Sequence, residues 1–178
     1  MERHIAFTIP DYTGTDQAAM EKQTDAILAS HEALIHNLVE QFSSGRLDAT
    51  AQAHVAHMLG DLRTRNASAI TVLIVNIGLT VEVKGIPDRL PRWCPRPAEE
   101  ALVKIGKPAS QMILDIIGCP KFQAAHVNAY ARVLADVELP RYALLKLRTR
   151  LDRVNEEEIR KRFESVIAAI EALRLPPE

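Results

Sequence analysis

Aromatic residues make up only 4% of the 178-residue chain, and Trp93 is its single tryptophan. A β-sandwich or barrel fills its pleated faces with aromatic and β-branched side chains, and the first kind is scarce here. There are two cysteines, Cys94 and Cys119, each followed by proline. Two are too few for a disulfide framework, and they read as reduced thiols. No excess of either charge is present, since 22 Lys and Arg stand against 23 Asp and Glu, for a formal net charge of −1. A nucleic-acid binder usually carries a basic surplus, because neutralising phosphates supplies most of its affinity. The most apolar stretch, Ala67 to Val83, is interrupted by Asn76 and Gly78, too short and too polar for a membrane span. Met1 to Pro10 lacks the charged start and apolar core of a signal peptide. These absences argue against membrane, secreted and general nucleic-acid-binding classes. The expected location is cytoplasmic.

What the chain does have is 47% hydrophobic residues, mainly Ala, Leu, Ile and Val. That composition favours packed helices and supplies one domain-sized core. Residues 1–14, with Ile9-Pro10 and Gly14, read as an irregular arm. Residues 15–178 read as a single helical domain. Thr15 or Asp16 can cap a helix running from about Gln17 to Ser43, on which Met20, Ile27, Leu28, Leu34, Ile35, Leu38 and Phe42 recur at helical spacing. The length of that helix leaves room for a break near Ser30. A second helix is expected from Thr50 to Leu62, capped by Asp48 or Thr50. A third, Ala67 to Leu79, is apolar on more than one side.

Between about residues 80 and 97 the pattern breaks. Pro87, Pro91, Pro95 and Pro97 remove backbone donors at a density no regular element survives. This is a long Pro-rich loop carrying Trp93. Helices then resume. Pro97, Pro108 and Pro140 each suit a first helical turn, where a missing N–H costs no bond. The spacing predicts helices over Ala98–Ile105, from Pro108 to Ile117, over Ala124–Asp136, from Pro140 to Leu151 and over Glu156–Leu173. Leu144, Leu147 and Leu151 form the inward stripe of the fourth of these.

Three segments superpose: His54–Ile74, Glu100–Ile117 and Ala129–Leu147. Gly60, Gly106 and Ala135 share one position, and Leu59, Ile105 and Leu134 precede them. A small residue there lets antiparallel helices approach closely, and hairpins that cannot bury their apolar faces alone must stack. The segment AEEALVKIGKPASQMILDII, with Ala98, Ala101, Leu102, Ile105, Gly106, Pro108, Ala109, Ile113 and Ile117 as motif residues, resembles a HEAT repeat. The resemblance covers about residues 50 to 151. It implies an all-α fold, a right-handed α-α superhelix of stacked antiparallel hairpins, and a non-catalytic scaffold or adaptor that binds a protein partner. No cofactor is implied, and self-association stays open.

Fold alone does not settle function, and some HEAT-like relatives are enzymes. His31-Glu32 resembles one step of the HEAT-like di-iron hydroxylases, and His54 and His57 lie on one helix. Those hydroxylases repeat the step in several hairpins, whereas here it stands once, and a metal site needs several converging ligands. No metal site is therefore expected. The run Arg141, Lys146, Arg148, Arg150 and Arg153, joined by Arg160, Lys161 and Arg162, offers a local basic patch of the kind that lines the groove of HEAT-like DNA glycosylases, but acidic residues interleave with it. No Gly-rich phosphate loop, nucleophile elbow or Cys-x-x-Cys is present, and no catalytic residue is assigned. The candidate partner-binding residues are Arg92 and Trp93 in the loop, since Trp and Arg are enriched at binding hot spots, together with Arg141, Lys146, Arg148 and Arg150.

Overall fold

The computed structural model describes residues 17–81 and 95–173, without the side chains of residues 17–21, 23 and 24. The N-terminal arm, and with it Thr15 and Asp16, lies outside the described residues, as do Arg92, Trp93 and Cys94. Among the described residues the chain is all-helical, with no strand. The helices are α1 (Gln17–Ser43), α2 (Ala49–Asp61), α3 (Ala67–Val75), α4 (Pro97–Ile105), α5 (Lys107–Ile117), α6 (Val127–Glu138), α7 (Pro140–Leu151) and α8 (Glu157–Ala172). A 3₁₀ turn, Ala124–His126, precedes α6. No helix among the described residues is long and apolar enough to cross a membrane.

The chain divides into two compact units, Met1–Leu34 and Ile35–Glu178. In the first, α1 runs on unbroken through Ser30, as the single helix expected from Gln17 to Ser43, and the Ser30 hydroxyl donates to the Ile27 carbonyl at 2.8 Å. Ile27, Leu28 and Leu34, expected on the apolar stripe, are exposed. In the second, Ile35, Leu38 and Phe42 enter the core. Among the described side chains of the stripe, burial is therefore confined to Ile35, Leu38 and Phe42, and Met20 lies outside them.

Local chemistry accounts for most helix ends. The Asp48 carboxylate accepts from the Ala51 N–H at 2.7 Å, which satisfies an orphan donor of α2. The Asn66 side chain accepts from Ser68 and Ala69 at the start of α3. That helix stops at Val75, four residues short of the expected Leu79. The Asn76 amide donates to the Val72 carbonyl at 2.8 Å, and the Asn76 backbone N–H bonds to the same oxygen. A side chain that competes for helix carbonyls favours termination. Ile77 still reaches the core from the turn that follows.

Proline opens α4 and α7 and lies in the first turn of α5. Gly106 links α4 to α5 with φ +78° and ψ −134°, a region nearly closed to residues with a Cβ. The link between α6 and α7 uses Leu139 at φ +65° and ψ 141°. A leucine there is under steric strain that glycine would not feel. Ala135, aligned with Gly106 in sequence, lies inside α6, which continues three residues further.

The core of the second unit packs helices in a regular order. α2 makes its most extensive contact with α4, α4 packs in turn on α6, and α6 on α8. α3 packs on α5 beside this row. Sequence neighbours α4 and α5, α6 and α7, and α7 and α8 also meet. Gly60 lies within α2 and serves this stacking rather than its own hairpin turn. A Cβ there would fall 2.7 Å from the Ala101 Cα of α4. Leu59, Ile70, Leu73, Leu102, Ile113, Leu114, Tyr130, Leu134 and Leu147 are fully buried around these contacts.

Candidate interaction surface

Charged side chains bind one helix to the next. Lys104 on α4 reaches Asp61 on α2 at 2.8 Å and Glu100 on its own helix at 3.1 Å. The hydrogen bond to Asp61 holds the Lys104 ammonium above its usual range against the opposing pull of burial. Arg132 on α6 grips the buried Glu99 of α4 with two bonds, at 2.8 and 2.7 Å. That bidentate pair raises the Arg132 pKa and leaves Glu99 no uncompensated charge. The cleft beside it, 200 Å³ in volume, is lined by Arg96, Glu99, Arg132 and Asp136 among others.

α7 is tied to three other helices by ion pairs. Lys146 pairs with Glu138 at 2.6 Å, Arg148 with Glu171 at 2.8 Å and Arg150 with Asp115 at 2.7 Å. Glu138 also accepts from the Ser110 hydroxyl at 2.7 Å. Burial pushes the Glu138 carboxyl up, but Lys146 and Ser110 outweigh it and hold the group below the usual carboxylate range. Arg141 is exposed at the start of the helix and has its own contacts. All four cations named from the sequence lie on α7, and three of them brace it against α6, α8 and α5.

The residues that the sequence reading passed over are apolar. Leu139, Tyr142 and Leu145 are 62%, 61% and 61% exposed. Helical spacing puts Tyr142 and Leu145 on one side of α7 with Arg141 and Arg148, opposite the buried Ala143 and Leu147. The signal was present in the sequence. Leu144, Leu147 and Leu151 define the inward stripe, and Tyr142 and Leu145 cannot belong to it.

Two further concavities lie in the second unit. A groove of 660 Å³ runs between the end of α1 and α3, with Phe42, Val72 and Val75 among its lining residues and no charged side chain. A cavity of 470 Å³ lies between α5, the turn after α7 and α8. The remaining conspicuous side chains are separate. His36 faces Glu40 on α1 at 3.3 Å, and His57 faces Glu100 at 3.9 Å. Among the described residues, no three His, Cys, Asp or Glu side chains gather as a metal site requires. Cys119 is exposed at the end of α5, where its carbonyl accepts from Arg162 at 2.8 Å. Arg162 also lies over the Phe122 ring.

No protein-family model, curated protein or solved structure matches this chain.

Proposed function

We propose that this chain is a HEAT-like α-solenoid working in the cytoplasm as a non-catalytic scaffold, and that it binds a protein partner through the outer face of α7. Two lines support the solenoid reading. The motif residues Ala101, Leu102, Ile105, Ala109, Ile113 and Ile117 are all core positions, and alternate helices pack in sequence order. The observation that carries the binding reading is the exposure of Tyr142 and Leu145 side by side, next to Arg141 and Arg148. A large aromatic and a leucine held on a braced helix lose little freedom when a partner covers them. Leu139 adds to the patch at a strained φ, and strained residues concentrate where function holds them. Arg92 and Trp93 remain a second proposed contact.

The nucleic-acid alternative draws less support. Lys146, Arg148 and Arg150 each pair with an acidic residue of this chain, so little basic charge is left over for phosphates. The test is affinity capture with the wild-type chain beside two variants, Tyr142→Ala with Leu145→Ala, and Arg92→Ala with Trp93→Ala. A stoichiometric protein lost only with the first variant, at unchanged melting temperature, assigns the α7 face. Loss only with the second moves the contact to the loop. Capture of no protein by the wild type would sink the scaffold reading.

A further inference from the structure

The cavity between α5, α7 and α8 has walls of opposite character. Leu114, Ile159 and Phe163 are its apolar part, and Asp115, Arg150 and Arg153 are its charged part. Asp115 is already matched, since it accepts from Arg150 at 2.7 Å and from the Gln111 amide at 3.2 Å. Arg153 forms no ion pair among the described residues. Among the described lining residues, the charged part of the cavity therefore sums to one positive charge.

The backbone that carries Arg153 is held in place. The Arg153 N–H bonds to the Arg150 carbonyl at 3.0 Å, and the Val154 N–H to the Leu151 carbonyl at 3.1 Å. Arg160 on α8 donates to the carbonyls of both Leu151 and Val154. A guanidinium carried on a fixed turn, beside an apolar hollow, suits one anion attached to an apolar group.

Resting on the scaffold reading above, we infer that this cavity receives a short peptide segment of the partner in which a leucine-like side chain neighbours a carboxylate. The aliphatic group fills the space against Leu114 and Phe163, and the carboxylate takes the two-pronged bond of Arg153. Arg153, the lining cation without an ion pair among the described residues, matches one negative charge. A phosphate dianion would bring a second charge toward Asp115, which repels it.

The test uses the full chain with ¹³C-labelled methyl groups, followed by NMR. The probes are acetyl-Glu-Leu-Leu-Glu-amide, its Gln-Leu-Leu-Gln and Glu-Ser-Ser-Glu counterparts, and octanoate. The first peptide is expected to shift the Leu114 and Ile159 methyls and to saturate at millimolar concentration. Both counterparts, and the first peptide against Arg153→Gln, are expected to bind about tenfold more weakly. Equal binding of the Glu and Gln peptides overturns the inference without needing any variant. So does an absence of shifts at the cavity, or octanoate binding more tightly than the peptide, which would mark a small-acid site. If capture through Tyr142 and Leu145 succeeds while these shifts are absent, the cavity inference alone falls. If capture also yields nothing, the scaffold reading falls with it.

Discussion

Where α2 meets α4, two backbones touch, and a single methyl on Gly60 would lie 2.7 Å from the Ala101 Cα. Where α7 meets α5, α6 and α8, charged side chains span the gaps at 2.6 to 2.8 Å while apolar Tyr142 and Leu145 face outward. The first contact is also bridged by Lys104 and Asp61 at its edge, but its centre depends on the absence of atoms and admits no substitute. The second depends on side chains long enough to adjust, and it holds a helix firmly while leaving one of its faces free. An interface of small residues gives stacking, and one of long charged residues can present a surface.

The comparison can be broken most forcefully in the tightly packed half. Ile113→Ala removes a side chain with no solvent exposure and is expected to cost about 2–5 kcal/mol in urea unfolding. A cost below about 1 kcal/mol would mean that the α5 core is far looser than described. Gly60→Val drives a branched side chain into a backbone and should cost about 1–3 kcal/mol or more. An unchanged melting temperature would refute the close approach of α2 and α4.

The two tight links, α4 to α5 and α6 to α7, sharpen it further. Gly106→Val puts a β-branched residue at φ +78° and should cost about 1–3 kcal/mol. Leu139→Gly runs the other way. It relieves the φ of +65° without emptying any core space, and should be neutral or stabilising by about 1 kcal/mol. The same variant should weaken partner capture if Leu139 belongs to the binding face. A destabilised Leu139→Gly protein would show that the link is not strained.

The smallest effect concerns pH. The folded Glu138 carboxyl titrates below its unfolded value, so its contribution is present above about pH 4.3 and is lost as pH falls through the folded pKa. Glu138→Gln should flatten that acid limb of a stability–pH curve. A limb of unchanged slope would show that the Lys146 and Ser110 contacts do not persist in solution.

Much of the helical layout was legible in the chain. Pro97, Pro108 and Pro140 mark first turns because ring geometry suits that position and no hydrogen bond is lost. Asp48 and Gly106 act through local backbone chemistry that a sequence displays directly. Less legible were features where two signals of similar size compete. Asn76 ends α3 inside a run that apolar spacing alone would extend to Leu79. Ile27, Leu28 and Leu34 share the spacing of Ile35, Leu38 and Phe42, yet only the latter three find a buried place.

The residues of this chain, read by themselves, determined that it forms helices, where most of them begin, and which stripe of each is apolar. Those properties follow from interactions within a few positions along the chain. Tertiary structure alone decided that Gly60 serves Ala101, that Lys146, Arg148 and Arg150 are engaged by Glu138, Glu171 and Asp115, and that Arg153 has no ion pair among the described residues. Each of the three ion pairs joins α7 to a different helix. A charge becomes a brace or a binding group according to what stands within about 4 Å of it, and only the packed fold fixes that distance.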